Sequence, residues 1–134
     1  MRLVIDTNIW IHYLIQSSLK RIDSILADPE TEILFSQELL DELLQVSARS
    51  KFSRYFNHEE VSELFLVLES RFPLIEVHSS VNACRDERDN FLLALCKDGN
   101  AEYLLTGDAD LLVMKEFEKT KIISLSEFKT LFLI

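Results

Sequence analysis

Glycine, proline and cysteine are all scarce in this chain, with two of each among its 134 residues. Glycine and proline most often form turns, and cysteine forms disulfide cross-links. Their scarcity predicts short connections, plentiful helices and no disulfide framework. The two cysteines, Cys84 and Cys96, have no C-x-x-C spacing. This pattern predicts two reduced thiols in or near the core of a cytosolic protein.

Long apolar runs and an excess of positive charge are also missing. The longest apolar runs, such as Phe91 to Cys96, are far below the roughly 20 residues that a membrane-spanning helix needs. The first residues lack the apolar region and cleavage site of a signal peptide, so we expect a soluble, cytoplasmic protein without a membrane partner. The net charge of −9 argues against a general polyanion binder unless a cation neutralises a concentrated negative site.

The length of the chain suits one domain over residues 1–134. Apolar stretches predict five strands, at residues 2–5, 32–35, 74–77, 102–105 and 121–123. The sequence predicts six helices. The first three follow Asp6, cover 18–27 and run from a Ser36 cap to about 48. The other three follow an Asn57-x-x-Glu60 capping box, cover 87–97 and follow Ser124. This alternation predicts an α/β fold, a three-layer sandwich with a central five-stranded parallel sheet flanked by helices.

Two of the predicted strands are followed by a carboxylate, one directly and one after Thr106-Gly107. Asp6 follows Leu3-Val4-Ile5, and Asp108 follows the strand in YLLTGDADLL, with Asp110 two residues later. Ligands of open parallel sheets bind in the crevice beyond the carboxyl ends of the strands, so we expect both acids near that crevice. Taken singly, Asp6 could be a helix cap and Asp108 a turn residue.

Two predicted helices each contribute a further acid. Asp89 stands at the amino end of the buried stripe of its helix, one turn before Leu92 and Leu93. Glu42 lies at the edge of a broad apolar face in the helix that Ser36 begins, whereas Glu38 lies farther from that face. Taken singly, Glu42 would be a solvated residue and Asp89 an acid that complements the helix dipole.

The joint pattern of four acids from distant parts of the chain favours a metal site. Two like charges about 4 Å apart repel by about 4 kcal/mol at an effective dielectric near 20, so such a group is costly without a cation. Hard ions such as Mg²⁺ and Mn²⁺ prefer oxygen ligands, and carboxylates supply them. The pattern therefore predicts a divalent-metal site.

Three stretches, VIDTNIW, SQELLDELLQV and CRDERDNFLLALCKDGNAEYLLTGDADLL, occur in this order. With them, the chain resembles the PIN-domain ribonucleases over its whole length, and in particular the VapC-like toxins of toxin-antitoxin pairs. The resemblance implies a PIN-like fold and hydrolysis of phosphodiester bonds in single-stranded or structured RNA with Mg²⁺ or Mn²⁺ as cofactor. In such a reaction one ion activates water and a second, when bound, stabilises the leaving oxygen.

The resemblance also implies roles for individual residues. The catalytic, metal-binding acids would be Asp6, Glu42, Asp89 and Asp108. Two accessory acids would be Asp86 and Asp110, and the groups that hold carboxylates in position would be Thr7, Asn8, Ser36 and Thr106. Glu87 stands where relatives often have proline, so we expect the loop that carries Asp86 to be looser here.

Basic residues suggest where RNA would bind. A cluster just after the helix of Glu42 is either an RNA-contact strip or a solvated loop, and consists of Arg49, Lys51 and Arg54. Arg85 and Arg88 flank Asp89 and would contact phosphate or pair with nearby acids.

The VapC-like resemblance implies a small antitoxin protein as a partner. Trp10, Tyr13 and Leu14 are interpreted as core residues; the alternative is an apolar patch for a homodimer or an antitoxin helix. Two other functions stay open, namely a PIN-like RNA- or protein-binding module with weak catalysis and a receiver-like phosphoacceptor domain. All four acids are present, which favours an active enzyme, and Asp6 lacks the second acid that a receiver would have beside it.

Overall fold

The computed structural model describes residues 1–16 and 28–133. The helix predicted over 18–27 lies outside the described residues. The side chains of Leu14 and Glu60, which concern the predicted apolar patch and capping box, also lie outside them. Among the described helices, none has the length and apolar character needed to cross a membrane.

Five strands of the described chain form one sheet: β1 (Arg2–Ile5), β2 (Glu32–Ile33), β3 (Tyr103–Leu105), β4 (Glu116–Phe117) and β5 (Thr120–Ile123). Their order in the sheet is β2-β1-β3-β5-β4. All neighbouring pairs are parallel except β4 and β5, which form an antiparallel hairpin. The predicted α/β fold class is confirmed, with a sheet that is mostly rather than wholly parallel.

Six α-helices occur in the described part of the chain: α1 (Thr7–Gln16), α2 (Gln37–Ser47), α3 (His58–Arg71), α4 (Asn90–Asp98), α5 (Ala109–Leu112) and α6 (Leu125–Phe132). Short 3-10 helices occupy Ser50–Phe52 and Glu87–Asp89. Successive residues of a strand point to opposite faces of a sheet, and Leu3, Val4 and Ile5 of β1 are all fully buried. Both faces of the sheet are therefore covered, as a three-layer arrangement requires.

Side-chain caps begin the helices where the sequence predicts them. The hydroxyl of Ser36 accepts a hydrogen bond from the backbone N–H of Leu39 at 3.2 Å, which starts α2. The Asn57 side chain accepts from the N–H of Glu59 at 2.9 Å, and Ser124 forms a capping box with Glu127. Each cap satisfies an N–H group that has no partner within its helix, so these polar residues determine the helix starts.

The predicted strand over Leu74–Val77 is wrong, and the strand β4 replaces it as the fifth member of the sheet. Pro73 has no N–H to donate. Within the described chain, residues 74–77 make one backbone hydrogen bond to another segment, from the N–H of Ile75 to Phe35 O at 2.8 Å. The hairpin of β4 and β5 turns at Glu118, whose φ is +52°. No glycine or asparagine marks that turn, so the usual sequence signal is absent.

Trp10 and Tyr13 are core residues, as predicted. Both are buried, and the Trp10 ring lies 5.6 Å from the Phe35 ring and 5.9 Å from the Tyr13 ring between centroids. The alternative, an exposed patch for a partner, is wrong for these two residues. The two cysteines, Cys84 and Cys96, are also buried and free, as predicted.

The register of the sheet brings two distant parts of the chain together at its carboxyl edge. Ile5 at the end of β1 pairs with Leu105 at the end of β3. The residue after β1 continues the pairing, because the N–H of Asp6 donates to Leu105 O at 2.9 Å. The residues that follow both strands therefore meet at one edge.

Candidate metal centre

Thr106 links the two acids that follow β1 and β3. Its hydroxyl donates to Oδ2 of Asp6 at 2.7 Å and accepts from the N–H of Asp108 at 3.0 Å. Thr106 is fully buried, and Asp6 is only 5% exposed. The predicted role of Thr106 as a group that orients a carboxylate agrees with this geometry.

Glu42 reaches the same edge from α2. The Thr7 hydroxyl donates to Oε2 of Glu42, and Thr7 directly follows Asp6. Glu42 is half-buried beside the buried Leu39 and Leu43, as its position at the edge of the apolar face predicts. A single hydroxyl thus connects the acid of α2 to the end of β1.

Burial and crowding change the protonation of Asp6. Burial raises the pKa of Asp6 above its ordinary value, and the hydrogen bond from Thr106 opposes that shift. The negative charges of Glu42 and Asp108 raise the pKa further. Asp6 therefore experiences the charges of both neighbouring acids.

Asp89 completes the group from the amino end of α4. One carboxylate oxygen from each of Asp86, Asp89 and Asp108 lies within 4.8 Å of the others. Oδ2 of Asp89 is buried, and no donor among the described residues reaches it. The pKa of Asp89 is raised to about 7, and desolvation by burial is the largest cause. The contact with the Asp108 carboxyl, which forms a hydrogen bond only when one of the two groups is protonated, also raises it. The negative charges of Asp108, Asp6 and Asp86 raise it further.

The two accessory acids have cationic partners, whereas the four main acids have none among residues 1–16 and 28–133. Asp86 caps the 3-10 helix through the N–H of Arg88 at 3.1 Å and pairs with its guanidinium at 3.0 Å. The carboxylate of Asp110 pairs with Arg85. In the described part of the chain, no lysine or arginine forms an ion pair with any of the main acids, Asp6, Glu42, Asp89 and Asp108.

Three of the predicted groups have other surroundings. Asp110 lies outside the three-acid cluster of Asp86, Asp89 and Asp108. Asn8 is exposed, and the Ser36 hydroxyl caps α2. Of the predicted supporting groups, Thr7 and Thr106 are the two that contact main acids directly.

The basic cluster after α2 is exposed. Arg49, Lys51 and Arg54 all face solvent around the short helix Ser50–Phe52. The Lys51 ammonium lies 5.0 Å from the centre of the Phe52 ring, and the Arg54 guanidinium 6.0 Å from that of Tyr55. Cations beside aromatic faces are a common element of single-strand RNA recognition, so the strip stays a candidate RNA contact.

Asn90 is a residue of this region that sequence reasoning missed. It directly follows Asp89, is 9% exposed, and its Oδ1 accepts from the N–H groups of Ala83 and Cys84 at 3.1 and 2.9 Å. Those amides lie in a segment without regular structure, so periodicity could not indicate the contact. The only signal in the sequence is an amide side chain at a helix start.

The chemistry of this group suits a hard divalent cation. Its donors are carboxylate oxygens from the end of β1, α2, the residue before α4 and the loop after β3, and oxygen is the ligand type that Mg²⁺ and Mn²⁺ prefer. The buried, unpartnered Oδ2 of Asp89 is an atom that a cation would satisfy. Asp86, Asp89 and Asp108 are the acids whose oxygens lie close enough together to hold it, and the charge of Asp6 acts on Asp89 from nearby.

An α/β domain with an acidic group at the carboxyl edge of its sheet is the class that fold and site define. The family model of the PIN domain matches residues 2–110, so the chain belongs to the PIN domain family. PIN domains are generally nucleases that act on RNA and use divalent metals. An uncharacterized protein of Methanocaldococcus jannaschii, MJ1680, is 25% identical over 122 residues, covering 89% of this chain and 78% of the relative.

Replacing Asp89 should stabilise the metal-free protein in a pH-dependent way. The pKa of Asp89 is about 7 in the folded chain, whereas an unfolded aspartate titrates near pH 3.9. Between these values the folded protein holds a proton that the unfolded chain releases, so the free energy of unfolding falls as pH rises. Asp89→Asn removes this loss and should raise the unfolding midpoint at pH 8 by about 4 °C, roughly the effect of 1 kcal/mol in such a domain.

Thermal unfolding in the presence of a chelator, at several pH values from 4 to 8, measures this effect. The gain should become small near pH 4, where Asp89 is protonated in the folded chain and about half protonated in the unfolded one. Asp86→Asn is the control: its pKa is lowered by hydrogen bonds from Arg88, so its replacement should give no gain at pH 8. A midpoint for Asp89→Asn that equals the parent's at pH 8 would contradict the assigned crowding.

Proposed function

We propose that this protein is a divalent-metal-dependent endoribonuclease that hydrolyses phosphodiester bonds of single-stranded or structured RNA. The observation that carries the proposal is the convergence of acids at one edge of the sheet, where no lysine or arginine of the described residues pairs with Asp6, Glu42, Asp89 or Asp108. Buried and half-buried carboxylates repel one another and lose hydration, and a bound cation would offset both costs. Membership of the PIN domain family supports the same conclusion.

The proposed ligands of Mg²⁺ or Mn²⁺ are Asp6, Glu42, Asp89 and Asp108. When bound, the cation would supply Lewis acidity that favours ionisation of water and stabilises charge on the leaving oxygen. Thr106 orients Asp6, and Thr7 orients Glu42, so both carboxylates are held before any substrate arrives. A carboxylate of the group that does not ligate can accept the proton that water loses.

Basic residues around the acids would bind the RNA backbone. Arg85 and Arg88 are exposed and already lie beside the acids, through their pairs with Asp110 and Asp86. The strip of Arg49, Lys51 and Arg54 offers cations next to aromatic rings, which suits unpaired nucleotides. With a net charge of −9, the protein needs such local positive groups to attract phosphates.

Cleavage of a labelled single-stranded RNA tests the proposal. The parent should cut in Mg²⁺ or Mn²⁺ and stop in chelator. Replacing one main acid by its neutral amide should lower the cleavage rate at least about 100-fold. A 100-fold loss corresponds to about 2.7 kcal/mol of lost transition-state stabilisation. These variants are Asp6→Asn, Glu42→Gln, Asp89→Asn and Asp108→Asn.

Glu38→Gln is the matched control for Glu42→Gln. Glu38 is an exposed acid one turn earlier in the same helix, so its variant should stay within about twofold of the parent rate. Acid variants that cut as fast as the parent would identify a contaminant and overturn the site. Binding of labelled RNA without cleavage in either metal would instead favour the alternative, a PIN-like RNA-binding module.

We further propose that the enzyme is the toxin of a toxin-antitoxin pair and acts in the cytoplasm, with a small antitoxin protein as its inhibitor. The three motifs shared with VapC-like proteins support this role. Both cysteines are free, which suits a reducing compartment. Homodimer formation is a separate proposal, and the solution mass of the isolated chain would test it.

Expression of the protein in a bacterial host tests the toxin role. The parent should arrest growth, because cleavage of cellular RNA would stop translation, whereas Asp6→Asn expressed to the same level should not. Coexpression of a small reading frame adjacent to the gene should restore growth of the parent strain. Equal growth of parent and variant strains would contradict a toxin.

A further inference from the structure

The chain between α3 and the acidic group has no regular structure of its own. From Pro73 to Asp86 the described residues form neither helix nor strand. Such a segment lacks a repeating set of backbone hydrogen bonds, so contacts with other elements must determine where its residues lie. Its last residue, Asp86, belongs to the three-acid cluster.

Two side chains of α4 fix this segment in the same way. Near the carboxyl end of the helix, Oδ2 of Asp98 accepts from the N–H groups of His78 and Ser79 at 2.6 and 2.8 Å. At the amino end, Oδ1 of Asn90 accepts from those of Ala83 and Cys84. In each case one oxygen accepts from two successive backbone amides.

Only the Asn90 contact lies beside the acids. Asn90 directly follows Asp89, and the amides that it binds precede Asp86 by three and two residues. The sulfur of Cys84 also lies 3.5 Å from the carbonyl oxygen of Asp110. One nearly buried side chain therefore connects the helix of Asp89 to the loop of Asp86 and, through Cys84, to the turn after Asp108.

An asparagine suits this place chemically. Its amide oxygen accepts two hydrogen bonds, as a carboxylate would, but it adds no negative charge beside the cluster of Asp86, Asp89 and Asp108. The 3-10 turn already joins Asp86 to Asp89, because the N–H of Asp89 donates to the carbonyl oxygen of Asp86 at 3.1 Å. Asn90 fixes the irregular segment that leads into this turn, and it does so without adding repulsion.

We propose that Asn90 is a positioning residue of the metal site, which sets the loop of Asp86 against Asp89 and Asp108 so that the acids can hold a divalent cation. The inference rests on the proposed metal-dependent function. Outer groups that orient metal ligands are typically worth about 10- to 100-fold in metal affinity. Asn90→Ala should therefore weaken Mn²⁺ binding about tenfold.

The experiment measures Mn²⁺ affinity from the electron paramagnetic resonance signal of free Mn²⁺ at 25 °C, with circular dichroism to verify folding. Asp98→Ala is the matched control, because it removes the same kind of two-amide contact from the other end of α4. Both variants should lose thermal stability, but only Asn90→Ala should lose Mn²⁺ affinity. Asn90→Ser, whose shorter side chain cannot reach both amides, serves if the alanine variant does not fold.

Amide hydrogen exchange gives a second readout that does not involve the metal. Exchange at Ala83 and Cys84 should accelerate in the Asn90 variants, and exchange at His78 and Ser79 in Asp98→Ala. Mn²⁺ affinity of the Asn90 variants that matches the parent's, or an equal loss in Asp98→Ala, would overturn the positioning role. If the parent binds Mn²⁺ no better than Asp89→Asn, the metal site itself fails, and with it the proposed function.

Discussion

The repulsion among carboxylates at the carboxyl edge of the sheet is the constraint on which the rest of this structure depends. Asp6, Asp89 and Asp108 come from three separate parts of the chain, and each carries charge that the others oppose. Burial first, and then the neighbouring carboxylates, raise the pKa of Asp89 to about 7. A fold that gathers such groups loses stability in the metal-free state, which is typical of sites built for a ligand rather than for stability.

The surrounding structure opposes this repulsion with neutral hydrogen-bond donors and a rigid frame. The parallel pairing of β1 and β3 sets Asp6 beside Thr106, and the Thr106 hydroxyl then holds one carboxylate and the backbone of the next. The Thr7 hydroxyl donates to the Glu42 carboxylate. Arginines pair with the outer acids, Asp86 and Asp110, whereas within the described part of the chain no lysine or arginine pairs with the inner ones.

Local signals in the sequence predict the elements that depend on local chemistry. The caps at Ser36 and Ser124, the buried strand before Asp6 and the apolar face beside Glu42 are all formed as expected, because each depends on residues within a few positions of one another. The convergence of Asp6 and Asp108 could also be predicted, since parallel strands bring their carboxyl ends to one edge.

Features that depend on tertiary contacts could not be predicted in this way. An apolar stretch at 74–77 resembles a strand, yet β2 ends at Ile33 and offers it little edge to pair with. The β4–β5 hairpin turns on a non-glycine residue with positive φ, which no composition rule indicates. Asp98 accepts from amides 20 and 19 residues before it, and Asn90 from amides of an irregular segment 7 and 6 residues before it. Neither contact follows a helical or strand spacing, so both roles emerge only from the three-dimensional structure.

Anomalous X-ray scattering from crystals of this protein soaked in Mn²⁺ tests the central claim most directly. The account predicts a manganese peak in contact with the carboxylates of Asp89 and Asp108, close to Asp6, and its loss in crystals of Asp89→Asn. A peak at any other position, with these carboxylates unligated, would contradict the assignment of the acidic group as the metal centre.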